Sequence, residues 1–318
     1  MLFSGVYKLW EDPLIVSCMV GSENHALAIN QPADVIVHES WVSTWRSLPA
    51  MFRFRLEARK AGKRAHFMAC AADSNRVLRT ALLPGGLINI SIYIDHKLYG
   101  IRDVEKQFDA IYPARMEYYK RLHLASAVKS LYVHTYGALK KEDGSFDLHG
   151  YEPRISHAVF NPFPVAVDDL VMSYNRARVV LALSEVEGAM LGSVEGMLCG
   201  LPQVSTHCRG GRELFFDDRY VRVVDPDPQA IAAAVNDLAQ RKIDPHFVRA
   251  ETLKKLQVHR DRLIDYVLKI IRARKAAVPS REKLEERLFG GPEALLSCYV
   301  RRREFASAGW EQPDQNSV

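Results

Sequence analysis

Short runs that are apolar throughout alternate with longer amphipathic stretches along most of this sequence. Residues 14–20, 35–37, 66–70 and 87–94 read as strands, and residues 41–61 and 75–83 as the helices between them. A strand wetted on one face alternates apolar and polar residues, whereas these do not, so both of their faces must be covered. The pattern therefore predicts a parallel sheet with helices on each side.

The polar stretch 98–107 interrupts the rhythm, and a second series follows with strands expected at 108–112, 130–136, 155–160, 179–183 and 203–206. With 318 residues, 48% of them hydrophobic, the chain is long enough for two domains. The expected division is an N-terminal α/β domain over 1–100 and a second α/β domain over 101–250, joined near residue 100. Beyond Val224, Asp225-Pro226-Asp227-Pro228 ends a strand, and Asp227 caps a helix with Ile231, Val235 and Leu238 on one face. Residues 247–274 read as one long helix, so 251–308 is expected to be C-terminal helices packing on or crossing back between the domains. The stretch 309–318 is polar, contains proline and has no periodicity, and is expected to be disordered.

The five cysteines are scattered, with no CxxC pair and no histidine at zinc spacing, which points to reduced thiols in a cytoplasmic protein. No apolar run approaches the roughly 20 residues that span a bilayer, so a soluble chain is expected. The net charge of +5 suits an anionic ligand but falls short of a dedicated nucleic-acid binder.

The segment with most chemical content runs from Ser184 through Glu187, Gly188 and Glu195 to Gly200-Leu201-Pro202. It reads as a strand end, a glycine-containing loop and a short helix. Amides at a helix N-terminus bind phosphate, and glycine lets a ligand approach the backbone closely. Gly188, Ala189, Met190 and Leu191 thus form a candidate cradle for phosphate and sugar. Glu187 and Glu195 are about two helical turns apart and can face one ligand while gripping different parts of it. A pair of solvated charges beside a turn is the alternative for these carboxylates.

This segment resembles the large retaining glycosyltransferase family 4, whose members carry a Ser-x-x-Glu-Gly loop, a second Glu eight residues after the first, and Gly-x-Pro. Ser184, Glu187, Gly188, Glu195, Gly200 and Pro202 match. The resemblance implies a GT-B fold: two Rossmann-like doubly wound domains facing across a cleft, here with a reduced N-terminal domain and C-terminal helices. It also implies that Glu195 holds the donor ribose, Glu187 contacts the transferred sugar, and the amides of residues 189–191 touch sugar and phosphate. Upstream, the strand end Tyr112-Pro113 followed by Arg115, four residues and Lys120 is similar to the family's diphosphate clamp. The chemistry agrees, since a departing diphosphate needs neutralisation and Arg and Lys can supply it; a pair of ordinary surface charges is the alternative. A third match is the turn Gly210-Gly211, with Glu213 one residue closer than in the family pattern. A plain turn would look the same.

On the N-terminal side, His38 and Glu39 end a strand where they could orient an acceptor hydroxyl, although a satisfied histidine fits the sequence too. Asp73 stands nearest to where the family places a sugar-contacting histidine. The resemblance implies a hexosyl- or pentosyltransferase acting with retention, with the nucleotide-diphosphate sugar as substrate and no cofactor or metal. The hydroxyl acceptor is open: a glycan, a lipid at a membrane surface, a small molecule or a modified base in DNA. A carboxylate-pair hydrolase is disfavoured, because such chemistry has no use for a diphosphate clamp. A nucleotide-sugar 2-epimerase of the same architecture is one alternative, and a non-enzymatic nucleic-acid-binding protein, suggested by Arg301-Arg302-Arg303, is another.

Overall fold

The computed structural model describes residues 6–19, 33–39, 41–135, 148–161, 167–290 and 299–300. Arg301-Arg302-Arg303 and the tail 309–318 lie outside the described residues. The chain divides into two compact units, Met1–Tyr93 with Arg260–Val318, and Ile94–His259. The division falls at Tyr93/Ile94, where the sequence placed it near 100, and it returns the chain from Arg260 onward to the first unit.

The first unit is built on a sheet whose strands, in chain order, are β1 (Val6–Glu11), β2 (Leu14–Met19), β3 (Asp34–His38), β4 (Ala65–Ala69) and β5 (Gly85–Leu87). Pairing runs β1-β2-β3-β4-β5, with β1 antiparallel to β2 and the rest parallel. β3 and β4 are buried at every position, as expected for strands covered on both faces. Helix α1 (Leu48–Lys60) lays Leu48, Met51, Phe54 and Ala58 on the core formed by Val16, Val35, Val37 and Phe67. Helix α2 (Ala72–Thr80) follows β4. The helix expected over 41–61 starts only at Leu48, after a 3-10 turn at Trp45–Ser47 capped by Thr44, because Pro49 favours a first turn over a helix interior. The strand expected over 87–94 is also shorter: β5 ends at Leu87, and Ile90–Tyr93 is a 3-10 turn.

In the second unit β6 (Phe108–Pro113), β7 (Leu131–His134), β8 (Val159–Phe160), β9 (Ala177–Ala182), β10 (Gln203–Thr206) and β11 (Val221–Val224) form one parallel sheet, ordered β11-β10-β9-β6-β7-β8. Numbered within the unit, that is the doubly wound order 3-2-1-4-5-6, whose switch point lies between β6 and β9. The helices are α3 (Leu148–Tyr151), α4 (Val167–Arg176), α5 (Leu191–Leu198), α6 (Pro228–Gln240) and α7 (Pro245–Ala273), the last of which runs past the unit boundary at His259. Alternate β6 residues supply the two cores. Ala110 and Tyr112 pack with Ile231, Val235 and Leu238 of α6, while Ile111 packs with Val194 and Met197 of α5 and Val248 of α7. Asp227 caps α6 as its spacing predicts, accepting from the Ala230 amide at 2.8 Å. The expected strand over 155–160 reduces to Val159–Phe160, with Pro153–Ile155 in a 3-10 turn. The stretch 98–107 is no free linker. Asn175 donates to Gly100 O and accepts from the Arg102 amide, and Lys106 donates to Asn175 O and Ala177 O, fastening it to the second unit.

Helix α8 (Arg281–Phe289) follows, with Ser280 as its cap, and β12 (Tyr299–Val300) adds to the edge of the first sheet, antiparallel to β1. No helix among the described residues is long and apolar enough to cross a membrane.

Candidate active site

Ligands of open parallel sheets bind outside the carboxyl ends of the strands at the switch point. In the second unit those ends carry the loops after β6 and β9, and both were singled out in the sequence. The loop after β9 and the loop after β10 are zipped together: the Glu187 amide donates to Arg209 O at 3.0 Å, the Arg209 amide to Glu185 O at 2.9 Å, and the Gly211 amide to Gly188 O at 2.6 Å. A Cβ at Gly210 would stand 2.0 Å from Glu187 O, so only glycine permits this approach. Gly210 and Gly211 therefore shape the loop that carries Glu187.

Glu187 is paired directly with Lys120 and also accepts from Ser184 Oγ at 2.6 Å. Lys120 is 3% exposed, unlike a surface lysine. Its burial follows from local backbone: after Arg115 the chain forms 3-10 turns at Tyr118–Lys120 and Leu122–Ala125, separated by Arg121 in the left-handed region at φ 50°. Arg121 then donates to Leu183 O and Thr206 Oγ1, each at 2.7 Å, stapling the β6 loop to the ends of β9 and β10. Tyr112 donates to Lys120 O from below. Arg115 has a half-exposed side chain, 3.9 Å from the Glu117 carboxylate.

Met190 also has a left-handed backbone, at φ 46°, immediately before α5. The conformation costs a non-glycine residue roughly 1–2 kcal/mol; it turns the chain so that α5 starts beside the end of β6. Gly192 lies so close there that a Cβ would meet Pro113 at 2.6 Å. The first turn of α5, including Leu191, thus adjoins the loops that carry Lys120 and Glu187, and Ala189 and Met190 are buried beneath them. Glu195, one turn further, accepts from Tyr174 Oη at 2.9 Å. Burial raises its pKa, opposed by the hydroxyls of Tyr174 and Tyr99, and the Tyr174 hydroxyl is itself pushed up by burial and by the Glu195 charge.

Sequence reasoning missed four residues that build this site: Arg121, Arg212, Tyr174 and Tyr99. Arg212 is 1% exposed and holds Ser184 Oγ at 2.6 Å, Ser184 O at 2.9 Å and Thr206 O at 2.8 Å, tying the ends of β9 and β10 together. Its position directly after Gly210-Gly211 was the available signal. Glu213, within the turn Arg212–Phe215, approaches the Cys208 amide at 3.5 Å.

His38 and Glu39, expected at an open strand end, are buried, because β3 is covered on both faces. His38 Nε2 contacts Tyr93 Oη at 3.2 Å, and burial lowers its pKa to about 3. Glu39 accepts from the Cys70 amide at 3.0 Å, and burial raises its carboxyl to about 7. Asp73 is exposed in the first turn of α2, paired with Arg76 at 3.2 Å. Among the described residues, Cys18, Cys70, Cys199 and Cys208 are free thiols, and no three His, Cys, Asp or Glu side chains cluster as metal ligands.

Residues 123–241 match the family described as Glycosyl transferases group 1. No curated protein matches the chain in sequence. Among solved structures, TarM superposes with a TM-score of 0.58 at 12% identity over 79% of this chain, which spans only 54% of TarM. HepE of Anabaena, in complex with UDP and glucose, gives 0.59 at 13% identity over 79% of this chain and 77% of its own. The pneumococcal O-GlcNAc transferase GtfA, in complex with UDP and GlcNAc, gives 0.56 at 15% identity over 79% of this chain and 57% of its own. The chain therefore has the GT-B fold of these glycosyltransferases, and its second unit carries the sequence pattern of glycosyl transferases group 1.

Proposed function

We propose that the chain is a cytoplasmic glycosyltransferase that moves a hexosyl or pentosyl group, with retention and without a metal, from a nucleotide-diphosphate sugar to a hydroxyl acceptor. The observation that carries this reading is the convergence of Lys120, Glu187 and the start of α5 at the carboxyl ends of β6 and β9. The match of residues 123–241 and the UDP bound in HepE and GtfA support it.

In this reading the diphosphate enters between Lys120 and the amides of residues 189–191, drawing the ammonium partly away from Glu187. Arg115 adds a second cation from the same loop. Glu187, still held by Ser184, then meets the hydroxyls of the sugar, and Glu195 receives the ribose diol. As the bond from the anomeric carbon to the diphosphate breaks, the acceptor oxygen attaches on the same face and its proton passes to the departing phosphate oxygen. The cations matter most at this step, where charge develops on the leaving group in a partly buried site.

The test is turnover of a panel of nucleotide-diphosphate sugars with hydroxyl acceptors in the presence of a chelator, with the product configuration read by NMR. Release of nucleoside diphosphate with retained anomeric configuration is expected. An inverted product, or dependence on added metal, would contradict the mechanism.

A further inference from the structure

Helix α1 carries two apolar stripes where a surface helix normally has one. Leu48, Met51, Phe54 and Ala58 face the core. On the opposite side Trp45, in the turn leading into the helix, is followed by Pro49, Phe52 and Leu56 at spacings of four, three and four, and all four are exposed. Trp45 is 60% exposed, Phe52 43% and Leu56 54%. Leu82, to whose carbonyl Arg55 of α1 donates at 3.4 Å, is 83% exposed as well. Single exposed apolar residues are ordinary, but a file of them along one helix face marks an interaction surface.

The charges around the stripe identify the partner. On the helical wheel Arg55 and Arg59 flank it on one side, and Arg53 and Lys60 on the other, all of them exposed. From residue 45 to 64 the sequence holds seven basic residues and a single acid, Glu57, so this stretch alone exceeds the chain's whole positive excess of +5. An apolar stripe of Trp, Phe and Leu bordered by arginine and lysine is the composition that lies in the plane of an anionic lipid surface, rings and aliphatic tips in the acyl boundary and cations among the headgroups. Nucleic acid would use the cations but leave Phe52 and Leu56 without a role.

We propose that the outward face of α1, with Trp45, Phe52 and Leu56 as its apolar contacts, seats the protein on an anionic membrane surface. This surface lies wholly within the first unit and stands independently of the nucleotide reading.

Co-sedimentation of the full chain with vesicles of phosphatidylcholine, with and without phosphatidylglycerol, tests the assignment. Binding to the anionic vesicles, weakened by salt, is expected. The double variant Phe52→Ser/Leu56→Ser should lose about tenfold or more in partitioning, in line with the transfer of two apolar side chains. The independent variant Arg53→Glu/Arg59→Glu should abolish the preference for anionic lipid while retaining the wild-type melting transition. No sedimentation with either vesicle, or equal binding to both with the charge variant unaffected, would overturn the proposal. So would duplex DNA that binds more tightly than the vesicles and equally well to Phe52→Ser/Leu56→Ser. Nucleotide affinity, measured separately on the same variants, should be unchanged, so failure here would not touch the donor site.

Discussion

Lys120 and Glu187 are directly paired across the switch point of the second unit's sheet, one on the loop after β6 and the other on the loop after β9, 67 residues apart in sequence. Both side chains are largely withdrawn from solvent, 4% and 15% exposed. Removing one partner of such a pair leaves the other charge uncompensated, at a cost of about 3–5 kcal/mol. Lys120→Ala is accordingly expected to lower stability by about that amount in urea unfolding and to remove nucleoside diphosphate binding. Glu187→Gln separates the two roles, because it leaves the ammonium in place. It should retain nucleotide affinity within about threefold and lose about a hundredfold or more in turnover, in the range found for a lost transition-state contact.

Glu195 depends on Tyr174 for its orientation, through the 2.9 Å hydrogen bond. Tyr174→Phe removes the hydroxyl with little change in volume. Nucleoside diphosphate affinity should fall about tenfold, as expected for a carboxylate that loses a buried donor worth roughly 1–2 kcal/mol. A change in melting temperature without a change in affinity would show that the tyrosine is structural only.

Arg212 holds three acceptors, two on Ser184 just after β9 and one on Thr206 at the end of β10, in one planar fork. A lysine presents its donors from a single point and cannot reach all three. Arg212→Lys is therefore expected to destabilise the protein by about 2–3 kcal/mol, since buried acceptors are left unmade, measurable by urea unfolding. Gly210→Ala should be at least as damaging, because the added Cβ meets Glu187 O at 2.0 Å.

The buried carboxyl of Glu39 gives a pH signature. Its folded pKa of about 7 lies above the ordinary value of 4.5. Between these values the native state holds a proton that the unfolded state releases, so stability falls as pH rises from about 4.5 through 7. The fall amounts to on the order of 3 kcal/mol, since one pKa unit is worth about 1.4 kcal/mol. Buried His38, His66 and His134, with pKa values lowered to about 3, 4 and 4, act in the opposite sense and lose stability as pH drops below the ordinary histidine range. The measurement is therefore a difference: Glu39→Gln minus wild type in urea unfolding across this range, where the variant should gain relative stability with rising pH. A flat difference would contradict the assignment.

The two parallel-sheet units were legible because strands buried on both faces announce themselves as unbroken apolar runs, as β3 and β4 do. The loop from Ser184 to Pro202 was legible because its glycines and carboxylates stand at fixed spacing in one segment. β1 was not, since Val-Tyr-Lys-Leu-Trp-Glu is neither an unbroken apolar run nor a strict alternation, and it takes its place by pairing antiparallel with β2 and with Tyr299–Val300. Nor was the burial of Lys120, which depends on one left-handed residue, Arg121, that no periodicity reveals. The Tyr174–Glu195 contact was hidden for another reason: it joins α4 to α5, and only the packing of both helices on one face of the sheet brings the two side chains together.

The most direct measurement is calorimetric titration of uridine, guanosine, adenosine and thymidine diphosphates into the wild-type chain, Glu195→Ala and the Arg115→Ala/Lys120→Ala double variant, with a chelator present. Micromolar binding of one nucleotide to the wild type, lost in the double variant and weakened about tenfold or more in Glu195→Ala, is the expected result. Binding that survives in the double variant, or no binding of any diphosphate to the wild type, would contradict a donor site at the ends of β6 and β9.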